Sequence, residues 1–588
     1  MGSLSRKIIA HLQHRLGREQ GAIIREWGHR RPVALVYPHE YEVGMSNLGF
    51  QTIYHLLNEH PDLTCERAFL PGPEELLEYQ RTQTPLLTLE SQRPLTDFAA
   101  VAFSISFEPD YLNVLRIMEL ARIPLLAAER QGQFPWIVAG GIAISMNPEP
   151  LAPFLDACFL GEGERDAARW FETLTDASRP ENRLTRLQYL AANIPGTYIP
   201  TSYRPEYDED GTMRRMAVAP GFPATIRPPH LMNLDAYPVH SRLLAPGGEF
   251  SRMFLVEINR GCGRGCRFCA AGFIYRPPRS RSAATLHDQV RLGLATGAKI
   301  GLVGTAVADH PEILDLCRWI TTAGQQVGLS SIRADRADRE LFDLLKKGGV
   351  KSVALAPETG NERMRRVINK GLSEVQLEQA VINLHAAGLS HLRLYFMAGL
   401  PTETRQDIAD IPHLTKRLQH AVVKHSQGRS RLAGITLSLN SFVPKPFTPF
   451  QWSAFAGVAE LKDRIRMVKR GLRGEREVRV HADLPKWAYI QALLARGDRR
   501  VGTLLLTAHR AGGDWTTACR QSSLNPDFFV LRERRQDEVF PWDFIDHGIH
   551  KEYLWEEYQN ALAARETPPC QPDICSRCGV CPKSRDAV

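Results

Sequence analysis

Strand-like apolar runs alternate with helix-compatible segments in two long series, and this alternation constrains the fold more than any other feature of the chain. The first series runs from Arg31 to about Leu160 and reads PVALVYP, GFQTIYHLLNEH, AAVAFSISF, YLNVLRIMELA, PWIVAGG and DACFLGEGE. Alternating strands and helices favour a mainly parallel sheet covered by helices on both faces. We therefore predict an α/β protein whose first domain is a doubly wound, Rossmann-like domain.

A second series of strand candidates follows, separated by helical patterns such as EILDLCRWITTAG. The strand candidates are RMFLVEIN, KIGLVG, VGLSSIRAD, KSVALAP, HLRLYFMAG and GITLSLNSFVPK. Six repeating βα units predict a parallel sheet curved into a partial (β/α)6 barrel, whose working residues lie at the carboxyl ends of the strands.

The length of 588 residues allows about three or four domains. We expect the doubly wound domain in residues 1–200, a linker with one hairpin in 201–245 and the barrel in 246–455. A mainly helical region is expected in 456–565 and a cysteine-rich tail in 566–588. The segment ELKDRIRMVKRGLRGEREVRV is predicted to be helical and basic.

No apolar run approaches the ~18 residues that a membrane span requires. The start, MGSLSRKIIAHLQHRLG, predicts an amphipathic helix without the apolar core of a secretory signal, so a cytoplasmic location is expected. The formal charge of +8 permits an anionic partner such as RNA. Spread over the whole chain, that charge creates no strong field by itself.

Seven of the 11 cysteines fall in two tight clusters, a pattern typical of metal ligation in a reducing compartment. Cys262, Cys266 and Cys269 form a CxxxCxxC loop directly after the strand RMFLVEIN. Three thiolates can bind three irons of a cubane cluster and leave the fourth iron open for chemistry. A zinc knuckle is the disfavoured alternative, because zinc loops usually show two separated CxxC pairs.

The glycines and arginines between these cysteines suit a cluster loop. Gly261, Gly263 and Gly265 let the backbone fold closely around the cluster. Arg264 and Arg267 are expected to offset its negative charge.

With Phe268 before the last cysteine, this loop resembles the signature of the radical S-adenosylmethionine (SAM) superfamily. The resemblance implies a [4Fe-4S] cluster whose open iron is chelated by SAM. It also implies reductive cleavage of SAM to a 5′-deoxyadenosyl radical, which abstracts a hydrogen from a substrate. A flavodoxin or ferredoxin is the implied electron donor.

The same resemblance suggests contacts to SAM at two later strands. Glu358, in APETGNERMRRVINKG, corresponds to a polar contact to the ribose, and the turn formed by Gly399, Leu400 and Pro401 to a contact with adenine. The alternative for Glu358 is a barrel-mouth carboxylate paired with an arginine, and both interpretations stay open. Ser331 and Arg333 are further candidates to face the pocket.

In many radical SAM enzymes a doubly wound domain before the barrel binds cobalamin. Candidate contacts lie in loops after successive strands of this chain: Ser104, Ser106, Gly140 and Gly141. The DxHxxG element that supplies an axial histidine is missing, since His39 and Gly44 are too far apart to match it, and His39 is expected to be a loop hydrogen-bonder. Bound cobalamin and a degenerate scaffold domain both remain open. Along nearly its whole length the chain resembles a little-characterised family of such radical SAM proteins.

Four further cysteines form CxxxxCxxCxxC at the end of the chain: Cys570, Cys575, Cys578 and Cys581. They are predicted to hold a second iron–sulfur cluster or a structural zinc ion or, without metal, to form a disordered or redox tail. The basic helix expected between Lys462 and Arg479 could contact phosphates, but it lacks interleaved aromatic residues, so a solvated face is favoured.

These features together predict a radical SAM enzyme that modifies an unidentified substrate, by methyl or methylthio transfer if cobalamin or an auxiliary cluster takes part. Two alternatives remain: a cobalamin-independent radical rearrangement, and a non-catalytic iron–sulfur or RNA-binding protein.

Overall fold

The computed structural model describes residues 4–130, 132, 134–176, 182–247, 250–251, 253–330, 332–427, 432–572 and 574–581. Ser331 and the end of the predicted tail after Cys581 lie outside these residues. None of the helices in the described part combines the length and apolarity that crossing a membrane needs.

The N-terminal domain is built on a mainly parallel six-stranded sheet in the order β2-β1-β3-β4-β5-β6, with only β6 antiparallel. The strands are β1 (Arg31–Tyr37), β2 (Leu63–Phe69), β3 (Ala100–Ser104), β4 (Trp136–Gly140), β5 (Ala157–Phe159) and β6 (Thr197–Tyr198). The order 2-1-3-4-5 is that of flavodoxin-like doubly wound sheets, and it confirms the predicted fold of this domain.

Helices cover both faces of this sheet, as in other doubly wound domains. They are α1 (Arg6–Leu16), α2 (Tyr41–Gly44), α3 (Leu48–Glu59), α4 (Pro73–Thr82), α5 (Tyr111–Leu120), α6 (Ile142–Met146), α7 (Ala167–Thr175) and α8 (Arg183–Asn193). Asn47 caps α3 by accepting a hydrogen bond from the Phe50 N–H, which fixes the start of this helix beside the carboxyl end of β1.

Strand β2 was not predicted, because its centre is charged. Glu66 and Arg67 are 2% and 0% exposed, and Arg67 is held by Glu19 at 2.6 Å and Glu90 at 2.7 Å. Burial of a charge is tolerated only with such partners. A sequence pattern that looks for apolar residues therefore misses this strand.

The expected linker contains the predicted hairpin, formed by β7 (Tyr203–Tyr207) and β8 (Met213–Val218). The barrel strands follow in two four-stranded sheets, ordered β10-β9-β11-β12 and β13-β14-β15-β16. These strands are β9 (Met253–Arg260), β10 (Arg279–Ser280), β11 (Lys299–Gly304), β12 (Val327–Leu329), β13 (Ser352–Glu358), β14 (His391–Ala398), β15 (Gly434–Ser441) and β16 (Val478–Ala482). All six predicted barrel strands are present and run parallel within their sheets.

The barrel strands are connected by α9 (Ala271–Ile274), α10 (Ala283–Ala295), α11 (Ile313–Thr322), α12 (Arg339–Lys347), α13 (Glu362–Val367), α14 (Glu374–Ala386) and α15 (Arg405–His425). Helix α14 begins with a capping box in which Ser373 and Gln376 satisfy each other's backbone N–H groups. Such caps fix where each helix starts and therefore where the preceding loop meets the barrel mouth.

The C-terminal region contains α16 (Val458–Gly471), α17 (Pro485–Arg496), α18 (Val501–Arg510), α19 (Trp515–Gln521), α20 (Asp527–Val530) and α21 (Lys551–Leu562). The prediction of one basic helix from Lys462 to Arg479 is wrong in its second half. The helix ends at Gly471 and β16 extends the barrel sheet beside β15. The alternating residues of VRVHA suit a sheet edge better than a helix.

The C-terminal region also contacts the N-terminal domain. The Asn147 side-chain amide donates to the carbonyls of Ala495 at 3.0 Å and Gly497 at 2.8 Å, and Arg499 pairs with the buried Glu149 at 3.0 Å. These bonds join the end of α17 to the loop after α6. The predicted domain boundaries themselves remain predictions.

Candidate cluster and cofactor sites

The cysteine loop begins where β9 ends. Gly261 has a φ of 78°, and a Cβ on it would lie 2.2 Å from the Tyr275 carbonyl oxygen, so this position requires glycine. Cys262, Cys266 and Cys269 follow on the same loop and are each partly buried. The predicted triad therefore lies at the carboxyl end of the first barrel strand.

The three thiols lie close enough to influence one another. Burial raises the pKa of Cys269 to about 11, and negative charge on Cys266 and Cys262 acts in the same direction. Ligation must therefore deprotonate this thiol. Within the described ranges no three His, Cys, Asp or Glu side chains surround a single-ion position. Three thiolates on one glycine-rich loop fit a cubane, which distributes its ligands over several irons.

The two arginines of the loop are bound to carboxylates. Arg264 pairs with Asp309 at 2.6 Å and Asp335 at 2.9 Å. Arg267 is fully buried and bonds Glu557 at 3.0 Å. These pairs hold the loop to its neighbours, and the expectation that the two side chains offset the cluster charge stays a prediction.

One cation that lies beside the thiols is Lys370, which sequence reasoning missed. Its ammonium is 2.9 Å from the Glu358 carboxylate and 5.9 Å from the centroid of the Phe268 ring. The charge of Lys370 acts to lower the pKa of Cys269, against the dominant effect of burial. Lys370 is remote in sequence from the cysteines, and only its position at the end of the APETGNERMRRVINKG segment could have drawn attention to it.

Glu358 ends β13 in a strained backbone conformation. Its φ is 66°, and the pairing register with β14 shifts between Leu355 and Glu358. A left-handed conformation in a residue other than glycine is often found at functional sites. The ion-pair interpretation of Glu358 is confirmed, although its partner is Lys370 and not an arginine. The ribose contact stays a prediction.

The predicted adenine turn lies at the end of the adjacent strand, β14. Gly399 has a φ of 95° and donates its N–H to Glu403 at 2.7 Å. Glu403 also accepts a hydrogen bond from Arg464 at 2.6 Å. Leu400 and Pro401 therefore lie in a turn whose two ends, the Gly399 N–H and the Glu403 carboxylate, are bonded to each other. The structure thus brings Glu358 and this turn to neighbouring strand ends.

Arg333 is the second candidate that follows the third barrel strand, and it contacts the segments that contain Lys370 and Asp335. Its guanidinium donates to the Lys370 carbonyl at 2.9 Å and to Asp335 at 3.0 Å. Its charge acts to lower the pKa of Cys262, whose pKa burial raises.

A cavity of about 350 Å³ lies at the carboxyl edge of the N-terminal sheet. It penetrates between the sheet and helices α3 and α7, where Ala102, Thr52 and Trp170 line it. All four residues predicted for this edge line the cavity: Ser104, Ser106, Gly140 and Gly141. At Gly141, where φ is 105°, a Cβ would lie 2.4 Å from the Ile105 carbonyl oxygen.

The wall of this cavity that faces the barrel comes from β9 and from the residue that follows α9. Glu257, Arg260 and Tyr275 contribute to it. Arg260 bonds Glu162 at 3.1 Å and Glu164 at 2.7 Å across the domain boundary, and the next residue is the Gly261 that opens the cluster loop. His39 does not line the cavity; it accepts a hydrogen bond from the Glu40 N–H at 2.8 Å, as expected of a loop residue.

Two family models match the chain. One, described as radical SAM proteins, N-terminal, matches residues 49–200. The other, described as the radical SAM superfamily, matches residues 256–414, which include the cysteine triad, Glu358 and the turn at Gly399.

Individual proteins are similar over different lengths. The uncharacterized protein MJ0966 of Methanocaldococcus jannaschii is 27% identical over 526 residues, which cover 89% of this chain and 98% of that protein. Cytidylyl-2-hydroxyethylphosphonate methyltransferase of Streptomyces wedmorensis is 28% identical over 42% of this chain and 49% of its own length. Among solved structures, the radical SAM methyltransferase TsrM of Kitasatospora setae with cobalamin and a [4Fe-4S] cluster bound has a TM-score of 0.45 at 14% identity, covering 83% of this chain and 97% of that one.

The triad loop thus follows a barrel strand inside the matched superfamily segment, and the preceding domain matches a model specific to N-terminal regions of the same proteins. The chain belongs to the radical SAM superfamily.

Proposed function

We propose that this radical SAM enzyme transfers a methyl group from SAM to an acceptor, with cobalamin held by the N-terminal domain. The observation that carries the proposal is the cavity at the N-terminal sheet edge, whose barrel-side wall includes Arg260 and Tyr275. Because Arg260 directly precedes the cluster loop, a cofactor in this cavity would lie next to the SAM site.

The cluster, when bound, supplies the electron that cleaves SAM, while the protein supplies binding, orientation and charge. Cys262, Cys266 and Cys269 would hold three of its irons. Glu358, fixed by Lys370 at 2.9 Å, has acceptor oxygens for ribose hydroxyls. The Gly399 turn offers a rigid backbone edge for adenine, and the Leu400 side chain in this turn is buried.

The N-terminal cavity fits the nucleotide portion of cobalamin. A volume of about 350 Å³ is at the lower end of the range for small-molecule sites. This volume is too small for a complete tetrapyrrole, so the proposal assigns only the nucleotide portion to it. Ligands of doubly wound folds bind in the crevice at the carboxyl ends of the strands, where the order of strands reverses. Strands β1 and β3 meet at this point in the sheet.

Methyl transfer also agrees with the similarity to cytidylyl-2-hydroxyethylphosphonate methyltransferase, although the match spans about half of that protein. A flavodoxin or ferredoxin is the proposed electron donor. The cytoplasm is the proposed location, because thiolate ligands and a low-potential cluster need a reducing compartment. RNA is a substrate class to be included in the product search.

The test uses SAM carrying a deuterated methyl group. Anaerobically reconstituted protein, reduced with dithionite and supplied with hydroxocobalamin, is incubated with metabolites or RNA from a strain that lacks the gene. Methyl transfer predicts S-adenosylhomocysteine and a deuterated methyl group in a new product. If all the label stays in methionine, formed in equal amount with 5′-deoxyadenosine, the enzyme is a radical rearrangement enzyme and the methyl-transfer proposal fails.

A further inference from the structure

The cysteine-rich tail does not extend away from the molecule but returns to the outer side of the cluster loop. The Cys570 N–H donates to the Gly263 carbonyl at 2.7 Å. Asn369 connects the two segments, because its amide donates to the carbonyls of Gly265 and Thr567, each at 3.2 Å, and its side-chain oxygen accepts from the Thr567 N–H at 3.0 Å. The tail therefore has a fixed position against the backbone between Cys262 and Cys266.

The tail cysteines are folded into tight turns. The Cys575 N–H donates to the Gln571 carbonyl at 2.8 Å, and the Cys578 carbonyl accepts from the His550 N–H at 2.9 Å. Cys578 is only 3% exposed. Cys570, Cys575 and Cys578 line one small cavity together with the glycines of the cluster loop.

Cys581 follows Cys578 by three residues, so the four cysteines lie within 12 residues of one segment. This segment packs against the cluster loop through the bond from Cys570 to Gly263 and through the cavity that Cys570, Cys575 and Cys578 share with Gly263 and Gly265. Since consecutive Cα atoms are about 3.8 Å apart, the bond from Cys570 to Gly263 limits the Cα distance between Cys262 and Cys570 to about 10 Å.

Arg276 lies between the two cysteine clusters. Its side chain is buried, donates to the Gly272 carbonyl at 2.8 Å and has its guanidinium carbon 4.8 Å from the centroid of the Phe273 ring. Arg276 and Cys578 line the same small cavity, next to Gly263 and Gly265 of the cluster loop. Hydrogen bonds to ligating sulfurs and nearby positive charge tune cluster potentials and stabilise the more negative, reduced state.

We propose that Cys570, Cys575, Cys578 and Cys581 bind a second [4Fe-4S] cluster, which passes electrons to the catalytic cluster. This inference rests on the proposed radical chemistry. One electron leaves a reduced flavodoxin or ferredoxin and enters the tail centre. It then moves to the cluster held by the triad, so the donor is oxidised by one electron and the triad cluster reduced by one. Four thiolates complete the coordination of a cubane and leave no open iron, as expected for an electron-transfer centre.

The first experiment removes the catalytic cluster from the full-length protein by replacing Cys262, Cys266 and Cys269 with Ala. After anaerobic reconstitution with iron, sulfide and zinc, the variant should retain about four irons and four sulfides per chain, the content of one cubane, and give an electron paramagnetic resonance signal on reduction. Stoichiometric zinc would overturn the proposal, because zinc has no redox chemistry. Absence of bound metal would overturn it as well.

The second experiment tests the relay with the Cys575→Ser, Cys578→Ser double variant. The matched control is Cys519→Ser, a partly buried cysteine remote in sequence from both clusters. Reduction of the triad cluster is followed by rapid mixing and freezing, with reduced flavodoxin or with dithionite. The double variant should lose reduction by flavodoxin and retain reduction by the small dithionite ion, while the control keeps both.

Equal flavodoxin-driven rates in the double variant and the control would overturn the relay. Failure of the wild-type protein to cleave SAM with dithionite would instead count against the radical chemistry. If the double variant does not fold, the metal content of the triad variant still decides whether the tail holds an iron–sulfur cluster.

Discussion

Two regions of this molecule, the barrel and the N-terminal sheet, carry a site at the carboxyl ends of their strands, and the two sites differ in kind. The barrel edge is charged and built from specific side chains: three thiols, the Glu358–Lys370 pair and the Glu403–Arg464 pair. The N-terminal edge is a cavity of about 350 Å³, lined mainly by apolar groups and glycines. The barrel edge presents thiols and charged side chains, whereas the N-terminal edge presents a shaped cavity.

The two edges meet at one ionic junction. Arg260, at the end of β9, bonds Glu162 and Glu164 of the N-terminal domain and Glu257 of its own strand. These side chains are largely buried, and the breaking of such a network costs more than the breaking of a surface pair. The junction therefore fixes the cavity relative to the cluster loop.

The largest expected effect is the loss of the cluster. Replacing Cys262, Cys266 or Cys269 with Ala should abolish the catalytic cluster and all SAM cleavage, because each substitution removes one of three iron ligands. Cluster absorbance and 5′-deoxyadenosine formation measure the outcome, with Cys519→Ala as the control. A single variant with wild-type cleavage and a complete cluster signal would refute the assignment of the triad.

The next effect concerns the ion pair at the barrel mouth. Glu358→Ala should weaken SAM binding and leave the iron content intact, because it removes the predicted acceptor for the ribose hydroxyls. Lys370→Met is the matched variant, since it breaks the same pair but keeps the carboxylate. It should destabilise the fold by about 3 kcal/mol, because it leaves a largely buried carboxylate without its partner.

A calorimetric titration with SAM and chemical denaturation separate these two roles. Unchanged SAM affinity in Glu358→Ala would leave only the ion-pair role. If both variants lost the same SAM affinity, the Glu358–Lys370 pair would act by positioning the barrel mouth, and Glu358 would make no direct contact with the ribose.

The N-terminal edge should respond to a change of shape. Thr52→Trp places an indole in the cavity from α3, and it should reduce cobalamin binding, seen as the retained cobalamin absorbance after gel filtration, while the iron content is unchanged. His55 lies on the same helix but does not line the cavity. The His55→Trp variant should therefore bind cobalamin as well as the wild type does. Equal binding by both variants would indicate that the cavity does not hold the cofactor.

The smallest effect is a pH dependence at the barrel edge. Burial acts to raise the pKa of Asp407, but hydrogen bonds from Arg363, Thr404 and Asn361 outweigh it and lower the pKa to about 2. The unfolded value is about 3.9. The stabilisation by Asp407 is therefore fully present above pH ~4 and lost as the pH falls towards ~2.

The Asp407→Asn variant tests this dependence. It should be less stable than the wild type by about 1 kcal/mol at neutral pH, since Asp407 belongs to the capping box of α15. Urea denaturation at a series of pH values should find the difference shrinking below pH ~4. A difference independent of pH down to ~2 would contradict the lowered pKa.

Local patterns were sufficient to predict the six barrel strands, the doubly wound domain and the loop position of the triad. Each depends on short-range periodicity or spacing, which the sequence displays directly. Strand β2 was missed because Arg67 and Glu66 are buried with partners from remote segments.

The remaining errors have the same origin in long-range contacts. Lys370 is near Cys266 and Cys269 only because α13 ends beside the cluster loop. The carboxylate partners of Arg264, Asp309 and Asp335, likewise come from remote segments. The segment around Val478 was predicted as helix because its neighbours are helical, but the exposed edge of β15 pairs with it. The spacing of residues along the sequence reveals none of these long-range partners.

The central claim is that Cys262, Cys266 and Cys269 support reductive cleavage of SAM in this chain. The most direct measurement quantifies 5′-deoxyadenosine and methionine by mass spectrometry after anaerobic incubation of the reconstituted, dithionite-reduced protein with SAM. The wild-type protein should form 5′-deoxyadenosine, and the variant with all three cysteines replaced by Ala should form none. A reconstituted wild-type protein with a full cluster that leaves SAM intact would contradict the account.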